Sequence, residues 1–265
     1  MKPILIDWAF LKIYSYPLLM GIAWGVGHQL FAYLCGLFKK MSTLNVDHQQ
    51  KLFFGVFISS WIGAKALFLI SSAQGEYALY LNSANFWLGG GFVFYGGLIF
   101  GLVFVLIYSC VLKKFSVQLL FLTLPVLCFS HAIGRVGCFL AGCCYGIISD
   151  LPWAISMHGH TRHPVQLYES FILIVIGLFL LKNIVGTTPG MGLNLRSIGA
   201  FTISYYFIAY SMVRFFLEYL RGDLVRGVNA FGFSTSQVIS ILIFLLAIGY
   251  RLKNNKLFKN LPACS

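Results

Sequence analysis

The sequence predicts an all-α integral membrane protein with about seven transmembrane helices, its N-terminus outside and its C-terminus cytoplasmic. Three observations predict it. Hydrophobic residues fill 59% of 265 positions and charged residues only 10%. With a mean hydropathy of +0.84, that is far from the balance of a water-soluble domain. Apolar runs of about 20 residues, the length that crosses a bilayer core, recur along the whole chain. Lys and Arg crowd the connections on one side of those runs, which sets orientation. No internal repeat or low-complexity linker interrupts the pattern, so a single domain over 1–265 is expected.

The runs are taken in order. The first, 13–37, follows Asp7 and Lys12 without a small-residue cleavage site, so it reads as an uncleaved signal that stays as a span. The second covers 52–73, and the polar stretch 74–90 after it is expected as an outer loop. The third covers 91–112. The fourth, 117–133, is shorter and runs into a glycine-rich stretch; 147–163 then forms a second outer connection. Runs at 167–185, 199–219 and 231–250 complete the seven, with 186–195 a Gly- and Pro-containing cytoplasmic turn. Lys39, Lys40, Lys51, Lys113, Lys114, Lys182, Arg196, Arg251, Lys253, Lys256 and Lys259 fall on one side. The other side holds Lys2, Arg135, Arg162, Arg221 and Arg226. The richer side is cytoplasmic, which leaves four arginines facing the outer leaflet.

The net charge of +12 does not point to nucleic acid. The cations are scattered in ones and twos, with no basic stripe on a soluble module. They are instead informative where they interrupt hydrocarbon, because a charge at bilayer depth is costly and by default functional. Tyr206, Tyr210, Arg214 and Glu218 recur every four residues in the sixth run, and Arg221 follows three later. That spacing puts them on one helical face. An Arg214–Glu218 pair that only locks helices is one reading. The other counts Arg135 and Arg162 as well: several guanidinium groups against few carboxylates suit a phosphate.

Arg135 sits in GRVGCFLAGCCYG at 134–146. Gly134, Gly137, Gly142 and Gly146 strip bulk there, so backbone N–H groups can approach an anion, or helices can pack closely. In RHPVQLYES at 162–170, Pro164 suits the first position of a helix, and Gln166 and Glu169 share a face. His163 is either a base or a capping donor. Cys138, Cys143 and Cys144 lack the paired spacing of a structural zinc site, and on one helix Cys138 and Cys143 would not share a face. A disulfide is one alternative if the stretch faces an oxidising periplasm, and a redox or acyl-carrying thiol is another.

These residues carry a resemblance to the prolipoprotein diacylglyceryl transferase family, whose signature has the form G-R-x-G-N-F-x-N-G-E-x-x-G. The stretch 134–146 aligns with it without a gap, keeping Gly134, Arg135, Gly137, Phe139, Gly142 and Gly146. RHPVQLYES resembles the family's R-H-P-x-Q-L-Y-E, matching Arg162, His163, Tyr168 and Glu169. YSMVRFFLEYLRGD keeps Tyr210, Arg214, Glu218, Arg221 and Asp223. IYSYPLLM resembles an early Y-G-L-M through Tyr16, and FYGGLIFG resembles H-G-G-L-I-G with Tyr95 in the histidine's place. Cys138 and Ala141 replace two signature asparagines, and Cys143 replaces the glutamate.

The resemblance implies a multi-pass enzyme of the bacterial cytoplasmic membrane. It implies transfer of the diacylglyceryl group of phosphatidylglycerol to the lipobox cysteine of a prolipoprotein signal peptide, with glycerol phosphate leaving. Arg135 and Arg214 would hold the lipid phosphate, and no metal or organic cofactor would be required. Tyr95, Tyr16 or Glu169 would assist removal of the thiol proton, and the residues choose none of the three. Gly134, Gly137, Gly142, Gly146, Arg162, His163, Tyr168, Tyr210, Glu218 and Arg221 would line the substrate site. Two other readings are a paralogous transferase with the same lipid donor and another acceptor, and a non-enzymatic lipid transporter or binding protein. The paired broken spans of many transporters are absent from the pattern.

Overall fold

A polar backbone can cross lipid only if its own hydrogen bonds satisfy it, so the apolar runs must be helices. The computed structural model describes residues 3–8, 11–38, 46–71, 80–83, 86–87, 93–112, 121–186, 195–222 and 232–259. Among them seven long helices follow the sequence runs: α1 (Ser15–Leu37), α2 (Val46–Ser71), α3 (Phe94–Leu112), α4 (Thr123–Ala141), α5 (Val165–Val185), α6 (Leu195–Leu217) and α7 (Thr235–Lys259). Six are long and apolar enough to cross a membrane, and α3 contributes a shorter apolar stretch, Gly96–Tyr108. The multi-pass helical class is as expected. Most of the expected loops 74–90 and 186–195 lie outside the described residues, as do Asp223 and Arg226.

Three elements depart from the sequence reading. The fourth helix runs over 123–141 rather than 117–133, so Gly134 and Gly137 lie inside it. In a membrane a helix-interior glycine is tolerated because it lets a neighbour approach. A Cβ on Gly137 would sit 3.2 Å from the Tyr16 ring and 3.5 Å from Leu19 Cβ. The connection 147–163 is also more ordered than a plain outer loop. It holds a small antiparallel hairpin, β3 (Ile155–Met157) with β4 (His160–Arg162). An N-terminal hairpin, β1 (Ile4–Trp8) with β2 (Leu11–Tyr14), precedes α1.

The chain divides into two compact units. In the unit His28–Leu119, α2 and α3 meet along small residues. A Cβ on Gly97 would come 3.2 Å from Ser60 O, and Gly63 and Gly96 face each other's carbonyls. Such stripes let two backbones touch where no hydrophobic driving force brings helices together. The unit Met1–Gly27 with Leu120–Ser265 packs α4 on α5, α5 on α6 and α6 on α7. Its apolar core contains Leu124, Cys128, Ile176, Leu180 and Tyr206.

Helix α5 shows why this unit carries chemistry. Phe171, Val175 and Leu178 are exposed, which in a membrane means facing lipid, whereas Gln166, Glu169 and Ser170 are buried. Lipid solvates the apolar face, so the polar groups turn inward and must find partners there. Ser170 donates to the Ala132 carbonyl at 2.9 Å, tying α5 to α4 one turn from the glycine-rich stretch.

Candidate functional site

The site grows from that inward polar face. Glu169, 2% exposed, receives Arg135 Nη2 of α4 at 3.0 Å on its Oε1. The same oxygen accepts the Tyr210 hydroxyl of α6 at 3.0 Å, and His131 Nε2 lies 3.8 Å away. Three helices therefore converge on one carboxylate. His131 stands one helical turn before Arg135 and packs edge-on against the Tyr210 ring, with centroids 5.6 Å apart. Tyr206 stacks on Tyr210 almost in parallel, at 5.9 Å and 7°.

The second charged pair follows the four-residue spacing along α6. Arg214 Nη2 meets Glu218 at 2.7 Å and donates to Ser236 of α7 at 3.2 Å. Ser236 is held in the first turn of α7 by a reciprocal cap. Ser234 Oγ accepts from the Gln237 amide, and Gln237 Oε1 accepts from the Ser234 amide. This is the capping-box arrangement, which satisfies two otherwise orphaned donors. Both arginines are thus fixed by carboxylates, and each keeps a nitrogen in reserve. Arg135 Nε and Arg214 Nη1 are buried without a hydrogen-bond partner among the described residues.

Below the arginines the chain turns sharply. Helix α4 ends at Gly142, whose left-handed backbone (φ 78°) few other residues would adopt so readily. The Cys143 amide bonds back to the Cys138 carbonyl at 3.1 Å. Cys144 also takes a positive φ, 58°, which is uncommon away from glycine. These two turns bring together three cysteines that a continuous helix would have dispersed. The Sγ atoms of Cys138, Cys143 and Cys144 lie within 4.8 Å of one another, and all three are free thiols. Hydrogen bonds from Cys138 and Cys143, together with the nearby Arg135 and Arg221 cations, draw the Cys144 thiol well below the usual range.

The turn is buttressed on each side. Gln166 donates to the Cys143 carbonyl at 2.6 Å, and His158 Nε2 lies 2.7 Å from the Gly142 carbonyl. Tyr145 and His158 rings pack at 4.9 Å. Residues 145–148 then run between two neighbours, with Ile147 N bonded to Leu220 O and His163 N to Ile147 O. Bridges pair Gly146 with Arg221 and Ile148 with Arg162. A side chain on Gly146 would strike the His163 carbonyl, with His163 Cβ 2.7 Å away.

The sequence-predicted residues divide accordingly. Arg135, Glu169, Tyr210, Arg214 and Glu218 form the buried charged network. Tyr16 packs beside Gly137 and lies within electrostatic reach of Arg135 and the three cysteines. Gly134 and Gly137 are helix-interior residues whose N–H groups are committed to the α4 ladder, so their place is in packing rather than in an anion cradle. Gly142 ends the helix. Arg162 is tied down, donating to Met157 O at 3.3 Å and Gly146 O at 3.2 Å, with its guanidinium 4.7 Å above the Tyr145 ring. His163 Nδ1 lies 3.2 Å from Tyr168 OH, and that hydroxyl oxygen accepts from Trp153 Nε1 at 2.8 Å. The side chain of Tyr95, at the start of α3, lies outside the described residues. His131 and Ser236 are additions. His131 was visible as the residue four before Arg135; nothing in the sequence singles out Ser236.

Known proteins resemble this chain over most of its length. A family model described as prolipoprotein diacylglyceryl transferase matches residues 3–252. A phosphatidylglycerol–prolipoprotein diacylglyceryl transferase of Clostridium tetani is 31% identical over 258 residues, 94% of this chain and 96% of its own. The protein named phosphatidylglycerol–prolipoprotein diacylglyceryl transferase 2 in Clostridium perfringens is 33% identical over 250 residues, 89% of this chain and 88% of its own. A phosphatidylglycerol–prolipoprotein diacylglyceryl transferase of Campylobacter lari is 36% identical over 137 residues, 49% of this chain and 46% of its own.

Proposed function

The chain belongs to the prolipoprotein diacylglyceryl transferase family, and on that premise we propose that it transfers diacylglyceryl from phosphatidylglycerol to the lipobox cysteine of prolipoprotein signal peptides. One observation carries the assignment of residues: Arg135 Nε and Arg214 Nη1 are buried and, among the described residues, unpartnered, while Nη2 of each arginine is held by a carboxylate. Desolvated cationic donors aimed from fixed positions suit the phosphate of a lipid headgroup.

In this mechanism the acceptor sulfur attacks the glycerol carbon that bears the phosphate ester. The C–S bond forms as the C–O bond breaks, and glycerol phosphate leaves with the electron pair. Negative charge grows on the leaving phosphate, where Arg135 and Arg214 stabilise it without reorganising. Glu169 and Glu218 act as positioning residues. With Arg135 and Tyr210 both on its Oε1, Glu169 is suited to hold the arginine rather than to take the acceptor's proton. Tyr95 and Tyr16 remain the candidates to assist its removal.

The protein is placed by this reading in the bacterial cytoplasmic membrane, N-terminus outside, with the 147–163 connection facing outward. A cysteine introduced at Asn255 should resist an impermeant thiol reagent on intact cells; labelling there would refute the orientation. The activity is tested by complementing a conditional transferase-deficient strain and by assaying transfer from phosphatidylglycerol to a lipobox peptide. Both are expected to succeed. Turnover of the lipid without modification of the peptide would assign the enzyme to another acceptor.

A further inference from the structure

We propose that Cys138, Cys143 and Cys144 form a three-sulfur site for a zinc ion whose fourth position receives the acceptor's cysteine. The inference rests on the transfer reaction above and adds the means by which the thiol is made nucleophilic.

The geometry is built rather than incidental. Zinc–sulfur bonds of about 2.3 Å put the edges of a tetrahedron at roughly 3.8 Å. The three Sγ atoms already lie within 4.8 Å of one another, so closure needs side-chain adjustments of about an ångström or less. The backbone beneath them is fixed. Left-handed residues at Gly142 and Cys144 reverse the chain, and Gln166 and His158 grip the carbonyls of Cys143 and Gly142. A cysteine held at positive φ is a local cost that a function can explain. Among the described residues no fourth His, Cys, Asp or Glu joins the group. Three protein ligands with one open position is the composition of catalytic zinc, whereas structural zinc has four.

The position is as telling as the ligands. Arg135, which carries a spare nitrogen for the lipid phosphate, lies within electrostatic range of Cys138 and Cys144, and Arg221 lies within range of Cys144 as well. Three thiolates around Zn²⁺ would leave a net charge of −1, which the Arg221 cation near Cys144 offsets. A thiol bound at the open position loses its proton to solvent, as metal-bound thiols do. Its sulfur then attacks the lipid carbon, the C–O bond breaks, and glycerol phosphate departs toward the arginines. The product is a neutral thioether, a weaker ligand than a thiolate, and it leaves the metal. No oxidant or reductant is required.

The test uses the purified, reduced, full-length protein in detergent, with Co²⁺ as the spectroscopic probe. One equivalent should bind and give sulfur-to-cobalt charge-transfer bands in the near ultraviolet with tetrahedral bands in the red, all abolished by Zn²⁺. Lipobox peptide should shift these bands, and the same peptide with Ser for Cys should not. Cys143→Ser and Cys144→Ser, checked for helical content by circular dichroism, should lose the charge-transfer bands. Chelation should slow transfer by about 10²–10⁴-fold, the scale of losing the group that handles a proton, and added Zn²⁺ should restore it. Absence of the bands in wild-type protein, a spectrum indifferent to the peptide, or full transfer after chelation would each overturn the proposal. A protein that gives the bands but transfers nothing would instead overturn the reaction assigned above.

Discussion

Arg135 performs two tasks with different nitrogens, and Arg135→Lys separates them. In the native protein Nη2 is committed to Glu169 Oε1 at 3.0 Å, while Nε is buried and has no hydrogen-bond partner among the described residues. Lysine carries one ammonium on a flexible stem instead of a planar fork. If that ammonium stays with Glu169, the buried ion pair survives and the fold should persist. The phosphate then loses a charge-assisted hydrogen bond worth about 1.5–3 kcal/mol, or about a 10- to 150-fold fall in kcat/KM. Because the charge on the phosphate grows as the C–O bond breaks, kcat should fall as well as KM rise. The assay is transfer from phosphatidylglycerol to a lipobox peptide in mixed micelles, run beside a thermal melt. A melt close to wild type with kcat/KM at least tenfold lower is the expected pair of results. Wild-type kcat/KM in a folded Arg135→Lys protein would refute the placement of the phosphate at this guanidinium.

Other substitutions read other parts of the network. Glu169→Gln should cost about 3–5 kcal/mol of stability, since it strands a buried guanidinium, and a large drop in the thermal midpoint checks it. Gly146→Ala should destabilise by about 1–3 kcal/mol, because its new methyl meets the His163 carbonyl and His163 Cβ; an unchanged midpoint would contradict that close approach. Tyr95→Phe should lower transfer by about 10²–10⁴-fold if its hydroxyl handles a proton, with lipid binding retained; near-normal transfer would assign Tyr95 to lining the lipid cavity.

What the sequence disclosed follows from the range of the forces involved. The spans were legible because lipid solvation acts on every residue of a run, so the apolar lengths at 13–37, 167–185 and 199–219 foreshadow α1, α5 and α6 closely. The Arg214–Glu218 pair was legible because it needs only helical spacing. His131 sits at the same spacing from Arg135, yet ending the fourth span at 133 left the two in different elements. The glycines at 134 and 137 invited that break. In water a glycine weakens a helix, but here the Tyr16 and Leu19 contacts at Gly137 turn it into a packing site.

The cysteines mark the point where local spacing stops being informative. Cys138 and Cys143 are five residues apart, on different faces of any continuous helix. Only the left-handed turns at Gly142 and Cys144 bring their sulfurs together. Those turns are in turn held by Gln166 and His158, which lie 23 and 16 residues from the carbonyls they grip. The residues that shape this site therefore come from the hairpin connection and the start of α5, segments that read as an outer loop and a helix start. A carboxylate and a thiol cluster served by the same two helices, α4 and α5, put the group that neutralises Arg135 and the group that would receive an acceptor thiol on one scaffold. Moving either helix would disturb both halves of the reaction at once.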